Sequence, residues 1–198
     1  TPGNYIVTYV DTCSTSSSVS VTINALGNAS FSYDTAAYCS DAADPTPTIT
    51  GSIGGTFSST GGLSIIPSSG IIDVSTSTPG TYSVTYATIA PCPNSSSVSV
   101  TVFPLPTVTF TTPVNLCVNA GVQSSLGGGA PAQDTSLGDT GVYSGIGVTD
   151  VGNGMYRFDP AIAGVGMHML TYTYTDGNGC KNSASHDVEV FALPNVTF

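Results

Sequence analysis

The stretch TPGTYSVTY (residues 78–86) alternates apolar and small polar side chains behind a Pro-Gly bend, and its near copy TPGNYIVTY occupies residues 1–9. A period of two puts Tyr82, Val84 and Tyr86 on one face and Thr81, Ser83 and Thr85 on the other, the pattern of a half-buried β-strand. A second alternating run, SSSVSVTV (residues 95–102), follows it, with SSSVSVTI (residues 16–23) as its counterpart. Each pair of runs is separated by turn-forming residues and reads as two adjacent strands.

Working outward, the similarity extends well past these strands. The segment from Cys13 to Phe31 matches the segment from Cys92 to Phe110 at an offset of 79, and a third copy at residues 180–198 lies 88 residues after the second. The middles correspond more loosely, GGTFSSTGGLSI (residues 54–65) with TGVYSGIGVTDV (residues 140–151), and SGIIDVSTSTPG (residues 69–80) with GNGMYRFDPAIAG (residues 152–164). Self-similarity at a fixed period marks a repeat array. The expected domains are residues 25–103 and 104–191, with Leu-Pro or Leu-Gly junctions. Residues 1–24 are then the closing strands of a preceding domain, and residues 192–198 a linker and the first strand of a following one.

Composition agrees with an all-β chain. Only 7% of residues are charged, and Ser, Thr, Gly and Val take the place of helix formers. Twelve acidic residues against two basic ones give a net charge of −10, which repels a polyanion and argues against nucleic-acid binding. No apolar run approaches the roughly 18 residues of a membrane span, so no membrane insertion is expected. Period-two runs between Gly, Pro, Asp and Asn turns, about seven to a repeat, predict tandem immunoglobulin-like β-sandwich domains in an extended array. The chain departs from antibody domains in having no Trp, and its late cysteines follow a strand tyrosine by six residues, Tyr86 to Cys92 and Tyr174 to Cys180.

The five cysteines test the repeat. Its register places Cys39 and Cys92 in the first domain and Cys117 and Cys180 in the second, while Cys13 stands where Cys92 does, without a partner in this chain. Bridges Cys39 to Cys92 and Cys117 to Cys180 are expected, each stabilising by about 4 kcal/mol on the chain-entropy model, and they imply an oxidising compartment. Reduced cysteines buried as small hydrophobes, or thiolates on a metal, are the alternatives; no CxxC or Cys/His cluster favours the second.

Residues for catalysis are sparse. His168 and His186 read as strand residues, and no GxSxG, HExxH or paired-carboxylate pattern occurs. The glycine runs at residues 127–129 and 145–147 have no helix signal after them, which argues against a phosphate loop. The chain is therefore read as a non-enzyme with no cofactor. Asp150, Asp159 and Asp176 are candidate oxygen ligands for Ca2+, set against the ordinary use of Asp in turns.

In combination, LPTVTF, NLCVNAG, YSGIGV, MYRFDPAIAG, LTYTYTDGNGC and DVEVFALP of the second repeat resemble the Ig-like (PKD-like) repeats of Bacteroidetes giant cell-surface adhesins and type IX-secreted surface proteins. FSYDTAAYCS, GGTFSSTGGLSI and CPNSSSVSVTV of the first repeat resemble a sister type. The resemblance implies an extracellular, cell-surface stalk or filament module of a long adhesin, partnered by neighbouring repeats and by like chains in a fibre. It also makes Asp34-Thr35-Ala36 similar to an O-glycosylation site, with the glycan on Thr35. The alternative is a carbohydrate- or protein-binding module that offers Tyr33, Tyr143 and Tyr156 for stacking on surface glycans or proteins.

Overall fold

The structure is a computed structural model in which residues 1–111, 114–134 and 136–196 are described. It divides into two compact units, Thr1–Phe103 and Pro104–Phe198, and each is built almost wholly of β-strands. In the first unit, β1 (Gly3–Val10) and β2 (Ser16–Ile23) form a hairpin of their own. The sandwich follows as β3 (Phe31–Ser32), β4 (Ala37–Cys39), β5 (Thr48–Ile49), β6 (Thr56–Ser59), β7 (Ser64–Ile65), β8 (Ile72–Asp73), β9 (Gly80–Ala87) and β10 (Ser95–Phe103). One layer is the sheet β4-β10-β9-β6, and the pairs β3-β5 and β7-β8 build the facing layer.

The alternation that marks the strands also fills the core. Tyr82, Val84 and Tyr86 of β9 and Val100 and Val102 of β10 point inward, where they meet Phe31, Phe57, Leu63, Ile72 and Val74. Each such buried side chain stabilises the fold by about 1.5–3 kcal/mol. Phe57 lies 4.6 Å from Tyr86 and 5.3 Å from Phe31, centroid to centroid. Outward positions carry Ser and Thr, which bond across the strands, as Thr85 does with Ser97 at 2.8 Å.

The opening phrase has a specific local job. The Tyr82 hydroxyl donates to the Thr78 carbonyl, pinning the Pro-Gly bend onto the strand it starts, and Tyr5 does the same to Thr1 at 2.7 Å. The hairpin β1-β2 repeats β9-β10 in register as well. Tyr5, Val7 and Tyr9 oppose Val21, Val19 and Ser17, as Tyr82, Val84 and Tyr86 oppose Val100, Val98 and Ser96. The difference is cover, since Tyr9 is 70% exposed and Tyr86 is fully buried.

The second unit repeats the plan with β11 (Thr109–Phe110), β12 (Leu116–Cys117), β13 (Gly129–Ala130), β14 (Thr140–Ser144), β15 (Val148–Gly152), β16 (Met155–Phe158), one helical turn α1 (Pro160–Ala163), β17 (Gly166–Thr175) and β18 (Lys181–Phe191). Its large sheet has the order β12-β18-β17-β14. The strand registers correct the looser part of the sequence alignment by two residues. Phe57 opposes Tyr86 on β9, and the residue that opposes the equivalent Tyr174 on β17 is Gly141, not Tyr143. A two-residue slip keeps every side chain on its face, so alternation cannot reveal it.

What the slip costs in volume is returned next door. Tyr172 stands where Val84 does, and its ring fills the space left by Gly141. A Cβ on Gly141 would lie 2.3 Å from the Tyr172 hydroxyl, and one on Gly129 2.4 Å from its Cγ. The run of glycines at 127–129 thus serves packing, because Gly129 lets the backbone approach the ring.

Candidate functional site

In each unit a short strand near the start pairs in parallel with the last strand. Cys39 at the end of β4 is opposite Phe103, the final residue of β10, and Cys117 at the end of β12 is opposite Phe191, the final residue of β18. The surrounding hydrogen bonds match too: Ser40 N donates to Phe103 O and Val118 N to Phe191 O, both at 2.9 Å. The late cysteines sit at the other pole, in the loops that join β9 to β10 and β17 to β18. Gly27 N donates to Cys92 O at 2.9 Å, and Asp176 holds the second loop by accepting from Asn178 N and Cys180 N, each at 2.9 Å.

This placement overturns the expected bridges. Cys39 and Cys180 are disulfide-bonded, whereas Cys13, Cys92 and Cys117 carry free thiols, so neither Cys39 to Cys92 nor Cys117 to Cys180 forms. The reason is length. Residues 95–103 of β10 alone span about 26 Å and residues 181–191 of β18 about 33 Å at the usual rise. Early and late cysteines of one repeat lie at opposite ends of those strands, while disulfide-bonded Cα atoms lie within about 7 Å.

Asp150, Asp159 and Asp176 are not brought together, and among the described residues no three His, Cys, Asp or Glu side chains form a group able to hold a metal ion. Each carboxylate serves its own turn. Asp150 accepts from Gly152 N at 2.7 Å, and Asp159 caps α1 by accepting from Ala161 N at 2.9 Å and from Ile162 N. Asp176 orders the turn before Cys180. The histidines are strand residues bonded to backbone, His168 Nε2 with Gly164 O at 2.7 Å and His186 Nδ1 with Asp187 O at 2.9 Å.

Thr35 is exposed on the turn before β4. Its hydroxyl donates to Ala37 O and accepts from Ala37 N, both at 3.1 Å. The neighbouring Asp34 carboxylate accepts the Tyr38 phenol proton, a bond that holds Asp34 below the usual carboxylate range. Burial, then this same bond, push Tyr38 up to about 12.

The tyrosines expected to be free for stacking are engaged in packing. Tyr156 is buried, and the half-buried Tyr143 lies 5.4 Å from its ring and 4.6 Å from that of Tyr172. Gly129 N donates to the Tyr143 hydroxyl at 2.9 Å, and Tyr33 donates to Gly70 O at 2.6 Å. Aromatic residues on strands face the core wherever their parity matches Val and Phe neighbours. One open cleft of the first unit, about 450 Å3, is lined by Leu26, Ile53, Ile89 and Pro91 beside Ser52, Thr88 and Cys92, and another, about 240 Å3, by Tyr33, Asp34, Thr35 and Val98.

No helix among the described residues is long and apolar enough to cross a membrane. No family model matches the chain, and no curated protein matches it. Among solved structures it is similar to Drosophila N-cadherin EC1-4, at 11% identity over 90% of this chain and 52% of that one, with a TM-score of 0.33. It is also similar to a Ca2+-stabilized adhesin of an Antarctic bacterium (16% identity, 96% and 56% covered, TM-score 0.38) and to the insect immune protein hemolin (12%, 96% and 56%, 0.35). The chain therefore spans little more than half the length of these three structures.

Proposed function

We propose that this chain is a structural segment of an extracellular, cell-surface stalk or filament, made of repeated sandwiches that carry load and perform no catalysis. The observation that carries this reading is the recurrence of one strand plan, down to the Cys-Phe pairing beside the last strand. The last strand of the first unit runs directly into Pro104, Leu105 and Pro106 at the start of the second, and short proline linkers leave little slack. The disulfide-bonded Cys39 and Cys180 favour an oxidising compartment. Residues 1–24 repeat β9-β10 without the facing layer, which supports reading them as the closing strands of a further sandwich. Residues 192–198 are read as a linker and the first strand of another, of which Thr197 and Phe198 lie outside the described residues.

The test is single-molecule stretching of the reduced chain alongside a glycan- and protein-binding screen. Two unfolding events of similar contour length and no micromolar binding are expected. Unfolding without a resolvable force peak overturns the load-bearing reading, and saturable micromolar binding establishes the binding-module alternative.

A further inference from the structure

We propose that the outer face of the second sandwich carries a site for a soft monovalent cation, Cu(I) or Ag(I), held by the thioethers of Met167 and Met169 beside the carboxylates of Asp187 and Glu189. Methionine ordinarily fills irregular gaps in hydrophobic cores. Neither core of this chain uses one, and Met155, Met167 and Met169 are 56%, 61% and 63% exposed. Met167 and Met169 are two apart on β17, so both leave the same face of the strand. Strand register says what else is there. Met167 is directly opposite Glu189 and Met169 directly opposite Asp187 on β18, and directly opposed residues share a face, with Cβ atoms about 4.5–5.5 Å apart. The four side chains are the corners of one patch that runs about 7 Å along the strands.

The rest of that face is hydroxylic. Thr171 opposes Ser185 and Thr173 opposes Ser183, and the first pair is bonded at 2.8 Å. In the first sandwich Thr81, which stands where Met169 does, opposes Thr101 and bonds it at 3.0 Å. The second sandwich has a thioether and a carboxylate in place of that hydroxyl pair. Thioether sulfur is a soft donor that suits Cu(I), and Ag(I) is the heavier analogue. Each methionine has three rotatable bonds, so two sulfurs on neighbouring same-face positions can close on one ion. The carboxylates supply negative charge beside it. Lys181 is opposite Thr175, about 20 Å along the strand from Met169, and Arg157 is on β16, outside this sheet, so neither cation competes. His168, between the two methionines, faces the other way and bonds Gly164 O through Nε2 at 2.7 Å. Both thioethers must be ordered on binding, which points to micromolar affinity. The site requires the fold of the second sandwich and does not require the stalk reading.

The test is titration of the full chain with silver nitrate in chloride-free buffer, with the free thiols that would otherwise take the metal replaced as Cys13→Ser, Cys92→Ser and Cys117→Ser. Calorimetry should show one Ag(I) bound per chain with micromolar affinity. The NMR methyl signals of Met167 and Met169 should shift while that of Met155 stays in place. Met167→Leu and Met169→Leu should each abolish micromolar binding; both positions are exposed, so the fold is retained, as circular dichroism checks. Met155→Leu should bind as the parent does. Asp187→Asn and Glu189→Gln should each weaken binding by about 1.5- to 5-fold, the range of an exposed charge pair, and unchanged affinity in both overturns the part given to the carboxylates. Absence of saturable binding, equal shifts at all three methionines, or silver binding that survives Met167→Leu and Met169→Leu overturns the site.

Discussion

Gly129→Ala probes the packing that distinguishes the second repeat. The added Cβ would lie 2.4–2.6 Å from Cγ, Cδ1 and Cδ2 of Tyr172, well inside contact distance and against the root of the ring, where rotation gives no relief. Tyr172 cannot retreat, because it is 2% exposed and its hydroxyl donates to Pro131 O at 2.6 Å. Overpacking of this kind costs about 1–3 kcal/mol. Replacing a glycine stiffens the unfolded chain and offsets about 0.4–1 kcal/mol, which leaves a net loss of about 1–2 kcal/mol. For a unit of this size that lowers Tm by about 5–15 °C. Gly127→Ala is the internal control, since a Cβ there meets nothing within 4 Å, and it should fall within about 0.5 kcal/mol of the parent. Calorimetry of the reduced chain reads both. Equal stability of Gly129→Ala and Gly127→Ala would refute the claim that Gly129 is selected by the Tyr172 ring.

Other outcomes follow from single contacts. Tyr82→Phe removes the hydroxyl that ties the Pro-Gly bend to Thr78 and should cost about 0.5–1.5 kcal/mol, measured as a shift in denaturant midpoint at constant slope. Tyr174 donates to Asp139 at 2.5 Å, and that bond, then burial, hold its phenol up at about 12. A raised folded-state pKa contributes stability that is complete below pH 10 and is lost as pH rises toward 12, so with thiols alkylated Tyr174→Phe should flatten the alkaline decline; an unchanged slope refutes the assignment. The glycan expected on Thr35 should give the peptide spanning residues 34–40 from the native source a carbohydrate mass that Thr35→Ala abolishes, and an unmodified peptide contradicts that expectation.

The repeat and its strands were legible because Ser/Thr alternation with Val and Tyr leaves little room for another period, as in SSSVSVTV. The bridges were not. Sequence register shows that Cys39 and Cys117 are equivalent, but it does not show that the strand before them pairs in parallel with the far end of the last strand. One signal was present, since an eleven-residue run from Lys181 to Phe191 is too long for cysteines at its two ends to meet. The aspartates were ambiguous in principle, because a carboxylate that caps Ala161 N and one that binds a cation use the same letter. Residue type alone suggests that Tyr156 is exposed, but its alternation with Phe158 in MYRF places it inside. Gly129 and Gly141 are explained only by Tyr172, which lies more than thirty residues away.

Extension of single reduced molecules pulled from both ends tests the central claim most directly. Two force peaks are predicted, one for each sandwich, with residues 25–103 lengthening to about 280 Å and residues 104–191 to about 320 Å at roughly 3.6 Å per residue. Lengthening without a resolvable force peak, or a single peak that releases both segments together, contradicts it.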